Sequence, residues 1–367
     1  MLTVEEELRK NGIFEEIPLT EEQKEQITSY VVTSLCNRFP ELRLNFYALS
    51  NSINSLNMYV ASMSEGSVGA CYFYRNSSMY FRKGLKFEKM KRLAVHECIH
   101  HMQEIKNDKG VLTRMGLCSY LHGKAYGNAL NEAAVQLMSS YANNEMPETE
   151  NFYGITLPSD SPTYYPLLCN LMKQIGILTS FETLFNSTFY TNDAFFDIFK
   201  SSFGENNAFE LQKDFEKILE KENKINKLIV KKETEDLSAK KMQSLEKAIE
   251  KGKKGVQKQF LTTQNLIITS FFDAKIKKIQ TEEDADNYRK TLYNMVNLIG
   301  KTADYNFFNE YYIKKMTELD NKYTKFAQTT SIAVVKKNKF TELLEAIKNL
   351  FKSKPKDVQD ISDYYSK

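Results

Sequence analysis

Leu93-Ala94-Val95-His96-Glu97-Cys98-Ile99-His100-His101-Met102 is the stretch on which the reading of this chain turns. It holds the pattern H-E-x-x-H. The residues around it are apolar, and no proline or glycine interrupts it, so a buried helix is predicted. On a helix, positions four apart share a face about one turn from each other. Two imidazoles placed so can grip one Zn²⁺ at about 2.0–2.1 Å. Glu97 follows the first of them, close to the ion without binding it, where a carboxylate can act as general base. All 4 histidines of the chain fall between residues 96 and 122, which concentrates its metal-binding capacity in one region.

A catalytic zinc needs a third protein ligand and an open fourth position. A third histidine in the spacing H-x-x-G-x-x-H is ruled out, because Gln103 stands at the glycine and Lys106 at the histidine. Glu132, in Leu130-Asn131-Glu132-Ala133-Ala134-Val135-Gln136, is the stronger candidate. It sits on a separate predicted helix whose small Ala133 and Ala134 permit close packing against the first. His122 is its rival. His101 points about 100° away from the ligand face and reads as a packing or supporting residue. Gln103 and Glu104 lie one turn beyond His100, near the metal face, where they support the site or meet solvent.

With these residues in view, the sequence resembles the gluzincin clan of zinc peptidases, which have the zincin fold. Those enzymes carry H-E-x-x-H on one helix and N-E-x-x-x-acid on a following one. The match covers His96 to His100 and Asn131 to Gln136. The resemblance implies that His96, His100 and Glu132 bind zinc, with Glu97 as general base. Gln136 stands where the clan has an acid, in the place that orients a ligand imidazole. Gluzincins often use a downstream histidine or tyrosine to stabilise the oxyanion. No histidine follows residue 122, so the candidates are Tyr120, Tyr126, Tyr164, Tyr165, Tyr190 and His122 itself. The strand expected over 79–82, just before the motif helix, is where the resemblance suggests an edge that pairs with an extended substrate.

Working outward, Thr20-Glu21-Glu22-Gln23 reads as a capping box, with Ile27, Val31, Leu35 and Phe39 at helical spacing behind it and Pro40 as the stop. Strands are expected over 42–48, 57–63, 70–74 and 79–82, with Asn76-Ser77-Ser78 turning between the last two. Asp108-Lys109-Gly110 is read as the break of the motif helix, and a second helix is expected over 126–141. Pro147, Pro158, Pro162 and Pro166 mark a junction at about 145–166. An apolar helical block then runs over 167–203.

From Glu205 the composition turns to Lys, Glu and Asn. Phe215, Ile218, Leu219, Ile225 and Leu228 share one helical face, which predicts several long helices over 205–350 as a bundle or hairpin. The fold class expected is α+β, mainly helical. It comprises a zincin-like domain over 1–203, with a small mixed sheet, and a Lys/Glu-rich helical region over 204–367.

Composition closes some classes. The net charge of +3 implies no nucleic-acid partner. No apolar run approaches the roughly 20 residues of a membrane span, and residues 265–272 are the greasiest stretch. MLTVEEELRKNG lacks the basic and apolar regions of a secretory leader. Five cysteines without C-x-x-C spacing suit buried thiols. A cytoplasmic location is expected. The expected function is zinc-dependent hydrolysis of an amide bond in a peptide or protein substrate. Two alternatives stand beside it: the same chemistry on a non-peptide amide or ester, and a catalytically inactive zincin-fold interaction protein. In either case the C-terminal helices could bind a protein partner or self-associate.

Overall fold

A computed structural model describes residues 3–64, 69–302 and 307–329. The chain is α+β and mainly helical, with small sheets. Two capping boxes open it. Thr3 starts α1 (Val4–Lys10), and Thr20 starts α2 (Glu21–Arg38), each with its hydroxyl and the third helical side chain exchanging bonds with the backbone. Between them runs β1 (Ile13–Pro18).

The stretch expected as a strand over 42–48 is instead a short 3₁₀ turn at Pro40–Leu42 followed by α3 (Phe46–Asn54). The cause is local. The Asn45 side chain accepts the Ala48 amide at 2.9 Å, and Leu49 and Ile53, four apart, are the buried residues. The cap decides the period, and the alternation of Leu42, Leu44 and Phe46 is incidental.

β2 (Asn57–Met63), β3 (Ala70–Phe73) and β4 (Ser78–Arg82) follow as expected, with β3 and β4 forming a hairpin. The sheet order is β1-β2-β4-β3, and β2 pairs with β4 in parallel. The strand preceding the motif helix is therefore interior. The edges are β1 and β3, and β3 is the one packed against α4, which corrects the expectation placed on residues 79–82.

α4 (Phe87–Met102) carries the motif. It ends at Met102, ahead of Asp108-Lys109-Gly110, which instead turns the first hairpin of a meander. The meander consists of β5 (Glu104–Lys106), β6 (Leu112–Met115), β7 (Cys118–Leu121) and β8 (Lys124–Tyr126). α5 (Asn128–Ala142) comes next, and its buried positions run almost all round, as in a central helix. β9 (Glu148–Phe152) and β10 (Ile155–Ser159) form a hairpin inside the proline-marked junction. Tyr153 and Gly154 both take positive φ there, the geometry of a two-residue hairpin turn.

The apolar block resolves into α6 (Pro166–Leu178), α7 (Phe181–Tyr190) and α8 (Ala194–Phe203). The composition change at Glu205 is the first residue of α9 (Glu205–Thr234). α10 (Ala239–Lys277) lies antiparallel to it: Lys232 meets Glu246 at 2.8 Å and Lys221 meets Gln259 at 3.3 Å. The region is thus the helical hairpin anticipated, continued by α11 (Glu282–Asn294) and α12 (Phe307–Thr329). The part of the helical expectation beyond residue 329 lies outside the described residues.

The chain divides after Met316, and the described residues before that point form the first compact unit. In the first, Ile27, Val31 and Leu35 of α2, Ala94, Val95 and Cys98 of α4, and Ala133, Ala134 and Leu137 of α5 are fully buried. Each large aliphatic side chain among them contributes about 1.5–3 kcal/mol of burial. The small residues let α4 and α5 lie close. All five cysteines are free thiols, three of them buried. Among the described residues no helix is long and apolar enough to cross a membrane.

Candidate metal centre

α4 lays His96 and His100 on one face, and α5 brings Glu132 against them. The two Nε2 atoms are 3.0 Å apart. Glu132 Oε2 lies 3.4 Å from His96 Nε2, and Glu132 Oε1 lies 3.4 Å from His100 Nε2. Donor atoms bound at about 2.0–2.1 Å around a tetrahedral ion stand about 3.3 Å from one another. The trio has that spacing, and it is the group of metal-ligating side chains that converges among the described residues.

Which nitrogen of each ring carries hydrogen follows from the partners behind it. Ser161 Oγ donates to the Tyr164 carbonyl at 2.6 Å, so it can only accept from Gln136 Nε2, 3.0 Å away. That fixes the Gln136 amide with Oε1 toward His96 Nδ1 at 2.9 Å. On the other ring, Gln103 Nε2 donates to the Thr188 carbonyl at 2.8 Å. Asn131 Oδ1 accepts the Leu117 amide at 2.9 Å, which turns Asn131 Nδ2 toward Gln103 Oε1 at 3.2 Å. Gln103 Oε1 therefore faces His100 Nδ1, also at 3.2 Å. Both Nδ1 atoms must be donors, and both Nε2 lone pairs are left aimed at Glu132.

Lone pairs and a carboxylate gathered in one part-buried spot repel one another unless a cation lies among them, whether a proton or a metal ion. Burial works against charge on His100, yet Glu132 outweighs it and lifts the imidazole to about 9. Burial likewise pushes the Glu132 carboxyl up, but His100 and His96 overcome it and hold the group well below the usual carboxylate range. The donor set of two imidazoles and one carboxylate fits zinc.

Glu97 points from the same helix toward the sheet edge. Its Oε2 accepts the Tyr72 amide of β3 at 2.7 Å. The Tyr72 hydroxyl donates to Glu104 at 2.7 Å and lies 3.1 Å from His101 Nδ1, while His101 Nε2 meets Ser52 Oγ at 3.0 Å. His101 thus braces the edge strand, and Glu104 turns away from the trio toward Tyr72 and Lys106.

The trio opens into a cavity of about 800 Å³. α4 forms its floor, β3 one wall, and α5 with the loop at Thr163, Tyr164 and Tyr165 the other. Of the tyrosine candidates, Tyr120, Tyr164 and Tyr165 line it, whereas Tyr126 and Tyr190 do not. Tyr126 is 52% exposed on the meander, and Tyr190 donates to the Leu42 carbonyl. His122 sits exposed in the turn between β7 and β8 and lines no part of the cavity. Tyr165 takes a left-handed φ of 51° directly before Pro166, a conformation disfavoured on both counts. Burial, with Glu132 and Glu97 nearby, raises its hydroxyl well above the ordinary value, so it remains a proton donor.

Two supports were not foreseen. Gly127 offers no side-chain cap to α5, and Glu216 of α9 takes that place by accepting the Ala129 amide at 2.9 Å. Gly116, at φ 55°, lies where any Cβ would stand 2.2 Å from Asn131 Oδ1 and 2.4 Å from Gln103 Nε2. The recurrence of Gly110, Gly116, Gly123 and Gly127 was the signal for the meander that holds it. No protein-family model, no curated protein and no solved structure matches the chain.

Proposed function

We propose that the protein is a zinc-dependent hydrolase of the gluzincin type, with a zincin-like catalytic core, that cleaves an amide bond in a peptide or protein substrate. The observation that carries this reading is the pair of Nε2 lone pairs, oriented by two anchored glutamine amides and converging with Glu132 at the spacing of zinc ligands.

His96, His100 and Glu132 would hold the ion. The chemistry it supplies when bound is Lewis acidity, which lowers the pKa of a coordinated water toward about 7. Glu97 takes the proton from the attacking water as its oxygen bonds to the carbonyl carbon. It then delivers that proton to the departing amine nitrogen as the C–N bond breaks. The Tyr72 amide keeps the Glu97 carboxylate aimed along β3. The Tyr165 hydroxyl faces the same cavity and donates to the oxygen that gains negative charge. β3 is the sheet edge beside this centre; its Tyr72 amide is held by Glu97, and the rest of the edge is suited to pairing with an extended chain.

The test is hydrolysis of a quenched fluorescent peptide library by zinc-loaded protein. Glu97→Gln is expected to abolish turnover with zinc content unchanged. Tyr165→Phe is expected to lower kcat by about 10²–10³-fold. Turnover undiminished in Glu97→Gln would remove the assigned base and the mechanism with it.

A further inference from the structure

The cavity is longer than the metal centre requires. Lys86, Lys89, Leu93, His96 and His100 all line it, alternating three and four apart, so α4 runs lengthwise along its floor. Opposite, Gln136, Ser139 and Asn143 continue the α5 wall, and the Asn143 amide bonds the Arg92 carbonyl at 3.1 Å. α5 therefore passes α4 antiparallel. Gly69, just before β3, lies over Leu93, with a Cβ there placed 2.9 Å from Leu93 Cδ1. β3 and α4 thus bound one straight arm that leads from the metal ligands to the beginning of α4.

The charges at the far end of this arm are unequal. Glu88 is held by Lys91 at 2.7 Å, and Glu145 by Arg92 at 3.0 Å. Lys86 and Lys89, both exposed, have no acidic partner among the described residues. Lys86 is also the N-cap of α4 and makes no side-chain bond to the first-turn amides, which adds positive potential at the same place.

We propose that this arm receives acidic side chains of an extended polypeptide, making acidic segments the preferred substrate of the site; this rests on the hydrolase reading above. Lys89 precedes His96 by 96 − 89 = 7 residues and Lys86 by 96 − 86 = 10, or about 10 and 15 Å along a helix. An extended chain advances about 3.3 Å per residue. The carboxylates fall about three to five residues from the bond cut.

The experiment uses full-length Glu97→Gln protein dialysed against zinc, so that binding is read without turnover. Labelled 14-residue peptides of Gly, Ser and Ala carry Asp, Asn or Lys at alternate positions, which covers either chain direction. Affinities come from fluorescence anisotropy, and bound zinc is measured on the same samples. The Asp peptide is expected to bind about tenfold tighter than the Asn peptide at low salt, and the Lys peptide weakest. In Lys86→Gln/Lys89→Gln protein the Asp and Asn peptides should bind equally, with Asn affinity unchanged. Equal binding of Asp and Asn peptides before that substitution, a preference that survives it, or no peptide binding at all overturns the inference. Zinc retained alongside any of these leaves the hydrolase reading standing. Absence of zinc with a lysine-dependent Asp preference sinks that reading and keeps the arm as a binding site for acidic segments, with no bond cut there.

Discussion

At His96 and His100 the ring protons are placed by amides one layer back, and those amides are in turn held by the Thr188 carbonyl and the Ser161 hydroxyl. Neutral glutamines orient the rings without adding the charge that an acid would lend them. The arrangement depends on Gly116 having no side chain. Gly116→Ala would push Asn131 and Gln103 apart and free the His100 ring. The expected result is a fall in zinc affinity of about tenfold to a hundredfold by chelator competition, with helix content retained; undiminished affinity would contradict the role given to Gln103.

A second residue-scale test concerns Glu222 of α9. It is buried, and burial alone raises its carboxyl from 4.5 to about 8. A raised folded pKa means that the stability at stake is present in full below about 4.5 and is lost as pH rises through about 8. Glu222→Gln should therefore match the wild type in urea at pH 4 and exceed it at pH 9, by on the order of a few kcal/mol. Equal loss at both pH values would show that the site needs the carboxyl for packing.

Among elements, α5 bears most of the arrangement, since it supplies Glu132 of the proposed metal trio, an orienting amide and one cavity wall. Its N-terminus begins at a glycine, and Glu216 reaches from α9 to cap it, a carboxylate at the positive end of a helix. Glu216→Ala is expected to cost about 1 kcal/mol in denaturant unfolding. It should also weaken zinc binding, and Glu216→Gln, which keeps an acceptor, should recover most of both. An alanine variant identical to wild type would uncouple α9 from the site.

Elements with strong local signals were legible in the sequence. Thr20 and Gln23 announce α2, the unbroken apolar flanks of the motif announce α4, and the apolar face of Phe215, Ile218, Leu219, Ile225 and Leu228 in a Lys/Glu-rich stretch announces the long helices of the α9–α10 hairpin. The motif and Asn131-Glu132 sufficed to bring His96, His100 and Glu132 together. What stayed hidden depends on distant partners. α3 turns on the single cap at Asn45. The meander consists of strands of three or four residues, too short for a period to show. Glu216 acts across the fold, and nothing in its own neighbourhood marks it, while the glycine recurrence around Gly116 marks the turns of the meander and not the contact with Gln103 and Asn131. Tyr126 and His122 were attractive by proximity in sequence, yet the meander carries both outward.

Across the whole molecule, residues of both compositional halves meet at one cavity. α4 and β3 come from the first half, and Leu219 and Asn223 of α9 close the cavity from the second. The claim on which everything else depends is that this convergence holds zinc. The direct measurement is metal content, by mass spectrometry, of protein purified without chelator, for wild type, His96→Ala and Glu132→Ala. The account predicts about one zinc per chain in the wild type and none in either variant. Wild-type protein that takes up no zinc even after reconstitution, or Glu132→Ala protein that keeps a full complement, would contradict it.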